Sequence, residues 1–179
     1  MKLGLLIIFF LTLPTAAYFD ENAKNVNVTW HQPAKYTDVR GTNESKARFQ
    51  KRVFNQLEKH IVKLAASLPK DIQLDMTITD VNLAGDVQFN FSMNREIRIV
   101  KSIYWPKIAF DFKITQSDKL LDQGSVVIKD MSFMHRGGLL RSSSDSFKYD
   151  KRLLTNWFNN ELQQKVTNFG KINSAVMSE

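Results

Sequence analysis

Between residues 49 and 78 the spacing of apolar side chains changes from four to two, and few folds accommodate both periods back to back. Phe49, Val53, Leu57, Ile61, Leu64 and Leu68 recur at intervals of four, four, four, three and four. Such a stripe lies along one side of a helix and needs a second layer to bury it. Ser45 can cap the start of this helix, which runs to about Ser67 with Pro69 beyond its end. From Ile72 the apolar residues are Ile72, Leu74, Met76 and Ile78, alternating with Gln73, Asp75, Thr77 and Thr79. That is the period of a strand buried on one face. A helix and a strand so close together, each apolar on one side, require a helix layer packed on a sheet.

The remaining segments extend that plan. Val26, Val28 and Trp30 alternate with polar residues as a short first strand, followed by a polar loop with Pro33 and Gly41. Leu83-Ala84-Gly85 closes the second strand. Val87, Phe89, Phe91 and Met93 alternate within an Asn-rich stretch, which fits either an edge strand or a hairpin arm. Residues 96–104 and 107–115 read as strands broken at Trp105-Pro106, because proline cannot donate to a ladder. Residues 116–119 form a turn, and 120–134 form the returning strand of an antiparallel hairpin. Residues 135–146, with Gly137-Gly138 and three consecutive serines, make a flexible loop. A last helix runs from Ser146 or Phe147 to about Phe169, burying Tyr149, Leu153, Trp157, Phe158, Leu162 and Val166. The expected fold is α+β: a mostly antiparallel sheet of four to six strands with two amphipathic helices on one face, a two-layer sandwich. Residues 26–169 form its single domain, 18–25 a linker and 170–179 a flexible tail.

The amino terminus carries an address. One basic residue, Lys2, precedes an apolar run to Leu13 and then Pro14-Thr15-Ala16-Ala17. This is the pattern of a secretory signal peptide over residues 1–17, with cleavage after Ala17. A spanning helix needs about 20 apolar residues, and Asp20, Glu21 and Asn22 follow too soon. The mature chain therefore has no transmembrane anchor. It keeps a formal charge of +6 once Lys2 is removed from the +7 of the whole chain. The absence of cysteine rules out disulfides, thiolate metal sites and cysteine nucleophiles.

Chemical signatures are sparse. There is no Walker loop, Gly-x-Gly-x-x-Gly, His-Glu-x-x-His or Gly-x-Ser-x-Gly. His31, His60 and His135 are far apart in sequence, and Ser142, Ser143 and Ser144 lie in a loop unsuited to a preorganised nucleophile. No metal site and no cofactor is expected. Asp80 shares parity with Ile72 to Ile78 and is expected on the core side, and Asp130 stands in the same relation to Val126 and Ile128. Two inward carboxylates of one sheet can act as an acid–base pair. Alternatively each is held by backbone N–H groups or by Arg136, Arg141 or Arg152, because unpaired buried charge is costly. Arg48, Arg52, Lys59 and Lys63 fall on nearly one side of the first helix, with Lys51 beside them. That face suits an anionic envelope polymer, or is simply solvated. No nucleic-acid role is expected, since no strand interleaves aromatic and basic residues. Trp105-Pro106 and Trp157-Phe158 are read as core-packing aromatics.

Several blocks in order carry a resemblance: Val28-Thr29-Trp30, Tyr36-Thr37-Asp38-Val39, Thr79 to Gly85, Ile97-Arg98-Ile99-Val100, Tyr104-Trp105-Pro106-Lys107-Ile108, Asp130-Met131, and Tyr149 to Leu154 with Trp157-Phe158. The chain resembles the proteobacterial domain-of-unknown-function family 3016, small exported proteins with no assigned activity. Trp30, Asp38, Gly85, Trp105, Pro106, Tyr149 and Trp157 mark the family-like motifs. This chain departs at Tyr104 and Lys107, where the family favours an acid and an Arg, and at Asp150, where it favours Glu. The resemblance implies export through the Sec pathway to the periplasm and transfers no catalytic residue. The expected role is a non-enzymatic envelope module that binds a protein or an anionic polymer; the alternative is an envelope-acting enzyme using Asp80 and Asp130.

Overall fold

The computed structural model describes residues 25–135 and 143–176, with residues 170–176 as backbone only. The leader, the linker up to residue 24, the Gly137-Gly138 loop with Arg136, Arg141 and Ser142, and the final residues 177–179 lie outside the described residues.

The stripe beginning at Phe49 becomes α1 (Lys46–Ala65), whose first turn is capped by the Ser45 hydroxyl accepting from the Arg48 N–H. Phe49, Val53, Leu57, Ile61 and Ala65 are its buried residues. α1 joins β1 (Val26–Trp30) to β2 (Ile72–Asn82), which pair in parallel with Val26 opposite Leu74 and Trp30 opposite Ile78. Parallel neighbours need a crossover, and the helix supplies it. β2 pairs antiparallel with β5 (Lys107–Gln116), and β5 with β6 (Lys119–Lys129), so the mixed sheet has the order β1-β2-β5-β6. The tight β5–β6 turn places Ser117 and Asp118 at positive φ. Ile72, Leu74, Met76 and Ile78 meet Ile108, Phe110, Phe112 and Ile114 on the face under the helices. Each such buried side chain stabilises by roughly 2 kcal/mol over leaving it in water. Gln73, Asp75, Asp111, Lys113 and Ser125 are exposed on the opposite face, so the sandwich has two layers and one open side.

α2 (Lys148–Trp157) passes through a π-helical turn (Phe158–Leu162) into α3 (Gln163–Val176), so the last helix continues past its expected end near Phe169. Trp157 packs edge-on against Phe110 and Phe112, with ring centroids 4.7 and 5.5 Å away.

β3 (Asp86–Asn90) and β4 (Arg95–Ile99) form a separate two-stranded hairpin. The expected strand over 96–104 stops at Ile99, because Tyr104 N–H turns back to Lys101 O. β6 likewise stops at Lys129, short of the expected 134. Its partner β5 begins after Pro106, leaving no further ladder to pair with.

Candidate functional site

Asp80 does not point into the core. The β2–β5 register shifts between Ile78 and Asp80, and after this bulge Val81, fully buried, takes the inward position. The Asp80 carboxylate accepts from the Thr37 N–H at 2.7 Å and its hydroxyl at 2.8 Å, and pairs with Lys107 Nζ at 2.9 Å. Burial alone pushes this carboxyl up, but the bonds from Lys107 and Thr37 outweigh it and hold it below the usual range. Asp130 follows the end of β6. It accepts from Arg152 Nη2 at 3.0 Å and from the Ser132 N–H at 2.9 Å. Of the three arginines expected as partners, Arg152 is the one seen there.

The two carboxylates belong to separate ion pairs, with β5 between their strands. Asp130 lines an open cleft of about 460 Å³ with Lys129, Ser132, Asn156, Asn160 and Glu161, to which Asp80 contributes nothing. The arrangement is not that of an acid–base pair sharing one substrate.

The basic face of α1 is exposed at Arg48, Arg52, Lys59 and Lys63. Arg52 is withdrawn from it: Nη2 lies 2.5 Å from Glu44 Oε1, and the guanidinium lies 4.9 and 5.5 Å from the ring centroids of Phe49 and Phe147. Most of the family-like residues pack. Trp30 stacks on Phe54 at 4.2 Å, Tyr149 meets Phe133 edge-on at 4.8 Å, Pro106 is buried, and Trp105 lies 5.9 Å from Lys129 Nζ. His60 borders the core and shares a 2.8 Å hydrogen bond with the Thr155 hydroxyl. Among the described residues no group of His, Asp and Glu is placed to hold a metal ion, and no helix is long and apolar enough to cross a membrane.

Asp38, Gly85 and Arg98 have a joint task. Arg98 Nη1 donates to Asp38 Oδ2 at 2.9 Å and to Gly85 O at 3.0 Å, while Nη2 donates to Arg40 O at 3.0 Å. Arg40 Nη2 returns a bond to Val87 O at 3.0 Å. Gly85 has φ +88°, and a Cβ there would sit 2.7 Å from Ile99 O. These contacts fasten the base of the hairpin to the domain. Its apex is uncovered, with Phe89, Phe91 and Met93 exposed at 48, 88 and 58%.

One group escaped the sequence reading altogether. Asp150, in the first turn of α2, is 1% exposed and accepts from the Ala84 N–H at 3.0 Å. Burial pushes its carboxyl up to about 7, against the pull of the Ala84 N–H, its own N–H and Arg98. It lines a cavity of about 310 Å³ bounded by Arg40, Glu44, Arg52, Arg98 and Phe147. The signal was present in the sequence: Asp150 stands three and four residues before Leu153 and Leu154, within the buried stripe.

Set against known proteins, residues 24–160 match the model of a family described as "Protein of unknown function (DUF3016)". No curated protein and no solved structure matches the chain.

Proposed function

Because the chain belongs to the DUF3016 family, whose description assigns no activity, we propose that it is an exported envelope protein that acts by binding a partner protein through the β3–β4 hairpin. The leader-like residues 1–17 support the export half of this reading. The separate neutralisation of Asp80 and Asp130 favours binding over catalysis.

The hairpin apex is the observation that carries it. Phe89 and Phe91 meet edge-on at 5.1 Å, and Phe91, Met93 and Ile103 are each more than half exposed. Soluble monomers rarely cluster large apolar side chains in water, and Phe and Met are enriched at the centres of protein interfaces. The basic face of α1 supports a second, weaker contact to an anionic envelope polymer through Arg48, Lys59 and Lys63, without Arg52.

A photo-crosslinking residue placed at Phe91 should give a discrete adduct in intact cells, and the same residue at Gln73 on the open sheet face should not. Identical patterns at both sites, or no adduct at Phe91, would reject the hairpin as the contact. Amino-terminal sequencing of the native protein should read Tyr18 first; a chain still starting at Met1 would reject the export half.

A further inference from the structure

The cavity beside Asp150 carries an inference independent of the hairpin. Five charged side chains line it: Arg40, Glu44, Arg52, Arg98 and Asp150. Glu44 pairs with Arg52, and Arg98 pairs with Asp38 at 2.9 Å. Asp150 makes no ion pair among the described residues, although it is the most deeply buried charged side chain there. A carboxylate removed from water costs several kcal/mol unless a cation meets it. Within the cavity the missing partner is therefore a cation.

The rest of the lining has the opposite character. Arg40 engages Val87 O through Nη2 alone, and Arg52 engages Glu44 through Nε and Nη2. Both guanidiniums retain N–H donors, which match a carboxylate in geometry and charge. Leu83, Phe49 and Phe147 supply apolar wall. A volume of about 310 Å³ suits a small metabolite.

We propose that this cavity binds a free amino acid with an apolar side chain, its ammonium on Asp150, its carboxylate on Arg40 and Arg52, and its side chain along Leu83, Phe49 and Phe147. Around Asp150 stand Arg98 from β4, Asp145 from the segment before α2, and Arg40, Glu44 and Arg52 in the cavity lining. With the Asp150 carboxyl near 7, an ammonium ligand displaces the proton. Affinity then rises with pH through neutrality, by about tenfold between pH 6 and pH 8.

The test is calorimetric titration of the mature protein at pH 6 and pH 8 with leucine, phenylalanine and alanine, and with two single-ended probes. These are leucine amide, which lacks the carboxylate, and 4-methylpentanoate, which lacks the amine. At least one amino acid should bind, tighter at pH 8, with each single-ended probe at least tenfold weaker than leucine. Asp150→Asn should abolish binding without lowering the melting temperature at pH 8, since the amide oxygen can still accept from Ala84. Arg40→Ala should weaken amino acid binding and leave leucine amide unaffected. The proposal fails if no amino acid gives heat up to about 10 mM, if 4-methylpentanoate binds as tightly as leucine, or if Asp150→Asn binds unchanged.

Discussion

The four-stranded sheet and the β3–β4 hairpin are written in the same alternating code, yet they end in different surroundings. In β2, Ile72, Leu74, Met76 and Ile78 are each 1% exposed, because α1 and α2 lie over them. Along the hairpin, exposure climbs from the buried Val87 to Phe89 and then Phe91 as the chain leaves the domain. Alternation decides which side chains share a face; a second layer decides whether that face is buried. The hairpin is fastened by polar means instead, with Arg98 bridging Asp38, Gly85 and the carbonyl of Arg40.

That contrast can be broken most forcefully in the sheet. Phe110→Ala removes a fully buried ring against Trp157 and should cost about 3–5 kcal/mol by chemical denaturation. A loss below about 1 kcal/mol would mean the helix layer does not hold the sheet as described. Next comes Arg98→Met, which leaves Asp38 and two carbonyls without their donor and should cost about 2–3 kcal/mol. Amide exchange should then accelerate across residues 86–99 more than in β5; uniform acceleration would show that Arg98 supports the whole domain instead.

The two outlying carboxylates sharpen the comparison through pH. Asp80 has a depressed folded pKa, so its contribution is present above the unfolded value and disappears as pH falls through the folded one. Asp150 runs the other way. The unfolded carboxyl ionises near 3.8 and the folded one near 7, so stability declines as pH rises across that window and is level above it. Melting curves should therefore show Asp80→Asn losing about 1–2 kcal/mol at neutral pH and little in acid. Asp150→Asn should gain stability at pH 8 and little near pH 4, and a loss at pH 8 would contradict the unpaired carboxylate. The smallest effect belongs to the apex: Phe91→Ser should change stability by less than about 0.5 kcal/mol while removing its contact surface.

Much of this architecture is legible in the residues because single periods run uninterrupted. The four-residue spacing of α1 and the alternation of β2, β5 and the start of β6 placed each element close to its observed bounds. Asp80 was misplaced because parity was carried past a bulge. The apolar positions themselves shift there, from the even series ending at Ile78 to Val81 and Leu83. Asp150 was missed because a helix face was traced by apolar residues alone, and a buried acid leaves a gap in such a trace. The hairpin's isolation was not legible. Its strands look like any others, and only the pairing of β2 with β5 shows that it has been left outside the sheet.

The π turn at Phe158–Leu162 makes chain length itself a constraint. Tyr149, Leu153 and Trp157 are spaced by four, but the next buried residue after the adjacent Trp157 and Phe158 is Leu162, five beyond Trp157. One surplus residue in the helix absorbs that step. Deleting either of the exposed Asn159 and Asn160 would restore an ordinary helix and rotate everything after it by about 100°. Leu162, now fully buried, would swing out toward solvent. A relative lacking that residue must therefore have moved its apolar positions along the sequence, so an alignment through this helix should be anchored separately on each side of the turn.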